Sequence, residues 1–298
     1  RPWVRDVTIL AFLAAALFGW RLGHLPLIDP DEPFYALTAR EMIAAHDAIT
    51  PRIFAQPQFE KPIGIYWLMI AAIRAVGENP AAARLPAALA ATALVFVTYG
   101  FGTRLFGRAA GLLAAVVLGT GMEFVITARM VLTDMVFALL VSLACLCYWL
   151  GARDERGRRR LWLVAFACSG AAVVVKGPLG ILIPALAALV ARLTTGLPHR
   201  AGRATIAWGV ALFLGLAVPW YAVMFGRFGS TFGVSFFVHE NWERLVRAEH
   251  PSNDRLYYYP AVLIIGSLPW IPGVAAALAR ARAAWSGDPG APSRQGRR

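Results

Sequence analysis

Of the 298 residues, 58% are hydrophobic and only 15% are charged, too little polar surface to keep a folded chain of this length in water. The net charge of +12 does not mark a nucleic-acid binder, because the arginines gather in short loops between apolar runs and no nucleic-acid motif is present. Cys145, Cys147 and Cys168 all lie inside apolar runs and read as packing residues, not as an extracellular disulfide framework.

In chain order, apolar runs cover residues 7–22, 83–103, 109–127, 132–150, 161–176, 178–193, 204–224 and 257–279. At about 1.5 Å per residue a helix of roughly 20 residues crosses a ~30 Å hydrocarbon core, so these runs predict spans, three of them slightly short. The first run reads as a retained helix, since no small-residue cleavage site follows it. The fold class is therefore an all-α polytopic membrane protein, one bundle of about eight spans over residues 1–285. Residues 286–298, rich in Pro, Gly and Arg, read as a disordered tail.

Residues 62–76, "PIGIYWLMIAAIRAV", are helical in pattern, with Pro62 in the first turn and Gly77 after the end. Fifteen residues reach only ~22 Å. Arginine placement decides whether they span. With eight spans, one side receives the N-terminus, 104–108, 151–160, 191–203 and the C-terminus, holding 17 Lys+Arg against four acids. The other side receives 23–82 and 225–256, holding 8 bases against 11 acids. That asymmetry makes 62–76 an interfacial or re-entrant helix and puts 23–82 and 225–256 on the non-cytoplasmic face, with 128–133 and 176–178 beside them.

That face collects the unusual polar residues. "DPDEPFYALTAREM" presents Asp31 and Glu32 at a helix start, where a cap and a first-turn acid are the ordinary reading. "ARMVLTDM" places Arg129 and Asp134 between the third and fourth spans. Two acids at one mouth of a bundle can flank a reacting sugar, one accepting a proton from an incoming hydroxyl. Lys61, in "FEKP", and Lys176, in "VVKGPLG", are the only lysines in the chain. A lysine there can merely snorkel, yet as a compact point charge it suits phosphate. With Arg129 they are candidates to hold a polyprenyl phosphate. "FFVHENWERL" reads as an amphipathic interfacial helix, and its His239 is a candidate metal ligand.

Taken together, "DEPFYALTAREM", "FEKPIGIYW", "ARLPAAL", "RLFGRAAG", "ARMVLTDM" and "VVKGPLG" resemble, in that order, bacterial membrane glycosyltransferases of the ArnT type, relatives of the protein O-mannosyltransferases. The resemblance runs from about residue 25 to residue 270. It implies a GT-C-like transmembrane bundle with interfacial helices in the first outer loop. The implied activity is sugar transfer from a polyprenyl-phosphate carrier to a lipid A, glycan or protein acceptor, on the periplasmic face of a bacterial inner membrane. Residue by residue, it implies Asp31 as principal catalytic acid, with Glu32 beside it and Asp134 as the second aspartate. Lys61 resembles the lysine near the carrier phosphate; Lys176 and Arg129 join it as substrate-binding candidates on their own charge, and Tyr35 and Tyr66 of the first two motifs are added to them. Glu60 and His239 resemble a metal pair, which makes a divalent ion such as zinc the expected cofactor. Members of the family usually continue into further spans and a soluble domain beyond the part matched.

Two other classes compete. A transporter or flippase would carry ionisable or broken-helix sites near the midplane. Here the span centres are almost free of charge, Glu123 being the nearest exception. The second is an inactive assembly factor.

Overall fold

The structure, a computed structural model, describes residues 1–28, 30–153, 158–196, 201–246, 255 and 257–285. The tail expected over 286–298 and part of the second outer loop, 247–254, lie outside the described residues.

The chain is helical almost throughout. The first helix, α1, runs Pro2–Ala14 and continues through a π turn, Ala15–Gly19. The first outer loop carries α2 (Asp31–Ala44), a two-residue β-ladder pairing β1 (Arg52–Ile53) with β2 (Gln56–Pro57), and α3 (Gly64–Val76). The tight turn of that ladder holds Phe54 and Ala55 at positive φ, 51° and 62°. Both oxygens of Glu41 receive their N–H groups at 2.8 Å, which offsets the strain of two non-glycine residues in the left-handed region.

Then follow α4 (Pro80–Phe106), α5 (Arg108–Thr120), α6 (Met122–Ala128), α7 (Asp134–Arg153), α8 (Arg158–Lys176), α9 (Leu179–Thr195) and α10 (Arg203–Gly233). A π-helix, Val234–Glu243, extends α10 beyond a kink at Gly229, and a short α11 (Arg244–Val246) follows it. The last helices are α12 (Tyr258–Gly266) and α13 (Ile271–Trp285).

Among the described residues, four helices are long and apolar enough to cross a membrane: Pro2–Gly19, α4, α7 and the extended α10. The number is up to six if each bent pair is one span. The chain is thus a multi-pass membrane protein. Against the eight spans expected, the run at 109–127 is α5 and α6 bent by 64° at Gly121, and the run at 257–279 is α12 and α13 bent by 107°. Pro269 and Pro272, without N–H groups to continue the ladder, lie at that second break. The other two expected spans are α8 and α9. Arg158, Arg159, Arg160 and Lys176 charge both ends of α8, and α9 has 17 residues, about 26 Å.

The 13 residues of α3 reach about 20 Å, short of the hydrocarbon core. Ile65, Tyr66, Met69, Ile70 and Ala72 are buried on its inner face, and its Trp67 indole donates to Ala48 O at 2.7 Å. Its first residue must be glycine, because a Cβ on Gly64 would meet Val174 O of α8 at 2.7 Å.

α4 sets the two ends of the bundle. Its 27 residues span about 40 Å, so Arg84 near its start and Tyr99 near its end lie at opposite faces. At the far end Tyr99 and Arg108 both hydrogen-bond the fully buried Asp6, Arg108 Nη2 at 2.7 Å, tying α1 to the α4–α5 turn. At the near end lie α2, α3, the start of α7 and the end of α8. The Asp6–Arg108 pair and the Glu32–Arg84 pair thus lie toward opposite ends of α4.

Candidate active site

α2 begins at Asp31, with Pro30 at the cap position and Pro33 in the first turn, where a fixed φ and a missing N–H are tolerated. Asp31 is thus the first helical residue and not the cap that its sequence context predicts. The acid beside it is fixed more firmly. Glu32, 3% exposed, receives Arg84 Nε at 2.8 Å and Nη2 at 2.7 Å, a bidentate charge-assisted pair. It also accepts the N–H of Val131 at 3.1 Å and of Ile28 at 3.3 Å. Arg84 spends its remaining donors on the carbonyls of Leu22, Leu25 and Pro26. Burial pushes the Glu32 carboxyl up, but Arg84 and the two N–H groups outweigh it and hold the pKa below the ordinary glutamate value. Every oxygen of Glu32 is engaged. The expectation of a catalytic Glu32 is therefore corrected: it anchors the α2 start to α4 and to the loop leading to Asp134.

Asp134 opens α7 and accepts from Lys176 Nζ at 2.7 Å. Lys176 ends α8 because the following Gly177 adopts φ +78°, where a Cβ would also meet the ring of Phe236 at 3.1 Å. Arg129 faces elsewhere. Its guanidinium donates to Leu17 O at 2.9 Å and Trp20 O at 3.0 Å, closing the end of the first helix. It is not the partner of Asp134, because the end of α6 points it toward the first helix.

Glu60 and Lys61 lie between the β-ladder and α3. The Lys61 ammonium lies 3.4 Å from Glu240 Oε2, and Arg244 Nη2 lies 3.2 Å from the same oxygen. Glu60, Lys61, Lys176, Glu240, Asn241 and Arg244 are among the walls of a cleft of about 420 Å³. Burial, then the charge of Glu240, raise the Glu60 carboxyl above its ordinary value, against the lowering pull of Lys61 and Arg244. An apolar cavity of about 650 Å³ lies between α3, α4, α7 and α8, walled by Gly64, Trp67, Leu68, Leu89, Leu139 and Val174 among others.

Tyr35 and Tyr66 are buried at 3% and 0% exposure, with ring centroids 6.0 Å apart, and neither lines the cleft. Burial, then Tyr66 and the carboxylates of Asp31, Asp134 and Glu60, push the Tyr35 phenol well above the ordinary tyrosine range. Burial likewise raises Tyr66, whose oxygen receives Gln58 Nε2 at 2.7 Å.

His239 is exposed, and its Nδ1 lies 3.1 Å from Glu243. Among the described residues no group of three or more His, Cys, Asp or Glu is gathered for a metal. Carboxylate and imidazole suit zinc as a donor set, and Glu60 is an exposed carboxyl raised above its ordinary value. Of the expected pair, Glu60 lines the cleft, while His239 is not among its lining residues and faces Glu243.

Arg84, Glu240 and Arg244 are the site residues not singled out from sequence. Arginine at the start of an apolar helix on the acid-rich face is a signal for the first, and the Glu240–Arg244 i,i+4 spacing for the others.

The model of the family described as "Dolichyl-phosphate-mannose-protein mannosyltransferase" matches residues 60–222. An undecaprenyl phosphate-alpha-4-amino-4-deoxy-L-arabinose arabinosyl transferase of Sodalis glossinidius is 31% identical over 268 residues, covering 86% of this chain and 47% of its own length. One from Erwinia tasmaniensis is 28% identical, covering 86% and 46%. The crystal structure of ArnT from Cupriavidus metallidurans bound to undecaprenyl phosphate superposes with a TM-score of 0.80 at 28% identity, over 93% of this chain and 51% of that one. The chain thus spans about half the length of these relatives. With more than half of its residues matched by the family model, and the GT-C-like bundle reproduced, the chain belongs to the dolichyl-phosphate-mannose-protein mannosyltransferase family.

Proposed function

We propose that this chain forms the donor-binding and reacting part of a glycosyltransferase of a bacterial inner membrane. It takes a sugar from a polyprenyl-phosphate carrier and gives it to a lipid A, glycan or protein acceptor on the periplasmic face. The observation that carries the reading is the cleft where Lys61, Lys176 and Arg244 surround one space. Lys176 of that polar space follows Val175 of the apolar cavity, and Pro62 lies two residues before the cavity's Gly64, so a phosphate headgroup and its hydrocarbon tail have neighbouring places. The Cupriavidus relative binding undecaprenyl phosphate supports it.

In this reading the acceptor oxygen attacks the anomeric carbon. The bond from that carbon to the phosphate oxygen breaks, and the electron pair leaves with the phosphate. Lys61, Lys176 and Arg244 stabilise the charge that develops there. Asp31 takes the proton of an acceptor hydroxyl, or positions an acceptor that is already anionic, and Asp134 holds Lys176 while completing the acidic wall. Glu60 and His239 would hold a divalent ion, which would supply positive charge near the donor phosphate. Equal metal content in wild type and His239→Ala would remove that part.

The deciding experiment is sugar transfer by Asp31→Asn in membranes, with the intact protein and normalised to folded protein. An asparagine at the first helical position should cost under about 1 kcal/mol of stability. Loss of the carboxylate should lower the rate on the order of 10²-fold. Near-normal transfer returns Asp31 to a structural role.

A further inference from the structure

We propose that Glu240 is an internal stand-in for the carrier phosphate, displaced when the donor binds and returning to expel the phosphate product. This rests on the donor-site reading above. One oxygen, Oε2, faces both Lys61 and Arg244, at 3.4 and 3.2 Å. These are the two cations that a phosphate in the cleft would reach from that wall. The carboxylate is 17% exposed, so it fills the place as a shielded anion and not as a surface partner.

The two lysines of the cleft are held differently. Lys176 grips Asp134 at 2.7 Å, the length of a strong charge-assisted bond. Both contacts of Glu240 are longer than that range, so this anion is the one more readily exchanged. Its backbone is also irregular. Glu240 rides on the π-helix Val234–Glu243, which follows a kink at Gly229 with φ +54°. Wide i→i+5 turns are sparsely used and concentrate at functional positions. Asn241, on the same turn, donates back to Phe236 O at 2.7 Å, which gives the turn a fixed base from which Glu240 can swing.

The chemistry gives such a group a purpose. A sugar-phosphate-lipid donor is a diester with one negative charge. The product is a monoester, which carries about −1.5 to −2 at neutral pH. Three cations around one cleft therefore hold product more tightly than substrate, and release becomes slow. A tethered carboxylate that competes for Lys61 and Arg244 weakens both states, and by returning it offsets the extra grip on the product. Removing it should tighten binding and slow turnover, the opposite of losing an ordinary binding residue.

The test uses the intact protein in nanodiscs, with undecaprenyl phosphate as the probe. Glu240→Gln should bind the probe on the order of tenfold more tightly than wild type, with slower dissociation. Its first turnover should stay near wild type while steady-state turnover falls. Glu240→Asp, one methylene shorter and less able to reach both cations, serves as the second variant and should shift affinity the same way by less. Wild-type or weaker binding in both variants, each with unchanged thermal unfolding, overturns the proposal. A wild type that does not bind the probe, or a Lys61→Met variant that binds it equally well, overturns the donor-site reading and this proposal with it. Tight binding by wild type, lost in Lys61→Met but unaltered in both Glu240 variants, sinks the stand-in alone.

Discussion

The guanidinium of Arg84 grips the carboxylate of Glu32 through two bonds of 2.8 and 2.7 Å, both side chains nearly excluded from solvent. The pair joins the start of α4 to the start of α2, and through Val131 N–H to the loop that leads into Asp134. Asp31 and Asp134 are thus referenced to one buried ion pair. Breaking such a pair from one side strands a buried charge. Arg84→Met should destabilise the fold by roughly 3 kcal/mol, and Glu32→Gln, which keeps its shape and part of its hydrogen bonding, by less. Thermal unfolding of the purified variants checks the order. An Arg84→Met protein as stable as wild type would contradict the anchoring role.

Lys61 and Lys176 should tolerate arginine better than methionine, because their proposed work is to present positive charge to a phosphate. Lys→Met at either position should weaken donor binding by tenfold or more, and Lys→Arg by less, measured with a polyprenyl-phosphate sugar in detergent. Unchanged binding in the double Lys→Met variant would show that the phosphate lies elsewhere.

The sidedness of the site follows from α4. Glu78 precedes its start and Phe106 closes its far end, both exposed. A membrane-impermeant thiol reagent added outside spheroplasts should label Glu78→Cys and spare Phe106→Cys, in a background lacking Cys145, Cys147 and Cys168. The reverse pattern would put the cleft in the cytoplasm.

Asp47 gives the first outer loop a pH limit. Burial pushes its carboxyl up, but the N–H groups of Ile49 and Thr50, the Thr50 hydroxyl and the charge of Arg227 prevail and hold its pKa at about 2. A depressed folded pKa contributes stability above the ordinary aspartate value, and that stability is lost as pH falls toward the folded value. The loop tie to α10, Asp47 to Arg227 at 2.9 Å beside Trp220 Nε1 to Ile49 O at 2.8 Å, should therefore loosen between about pH 4 and pH 2. Hydrogen exchange of residues 45–52 should rise over that window in wild type. In Asp47→Asn it should be raised already at pH 7 and respond less to acid. A flat profile in wild type would contradict the assignment.

The sequence by itself determined the membrane class, the charge asymmetry between the two sets of loops and a helix over 62–76 too short to match the full spans. Each of these follows from run length and charge placement, quantities that one dimension carries in full. The same was true of the clustering of Glu60, Lys61, Asp134 and Lys176 at one end, since each closes or opens a segment on the same face. Only the tertiary structure decided which cation meets which anion. Glu32 and Arg84 are separated by 52 positions, and Lys61 and Glu240 by 179. No local period reports such pairings. They exist because α2 and α4 converge at one end of the bundle, and because the kink at Gly229 brings the end of the extended α10 back over the cleft. Arg129 and Glu32 show the same limit from the other side. Both looked like site residues by neighbourhood in sequence, and both have their charge engaged elsewhere: the partly exposed Arg129 by the carbonyls of Leu17 and Trp20, and the buried Glu32, which needs a partner, by Arg84.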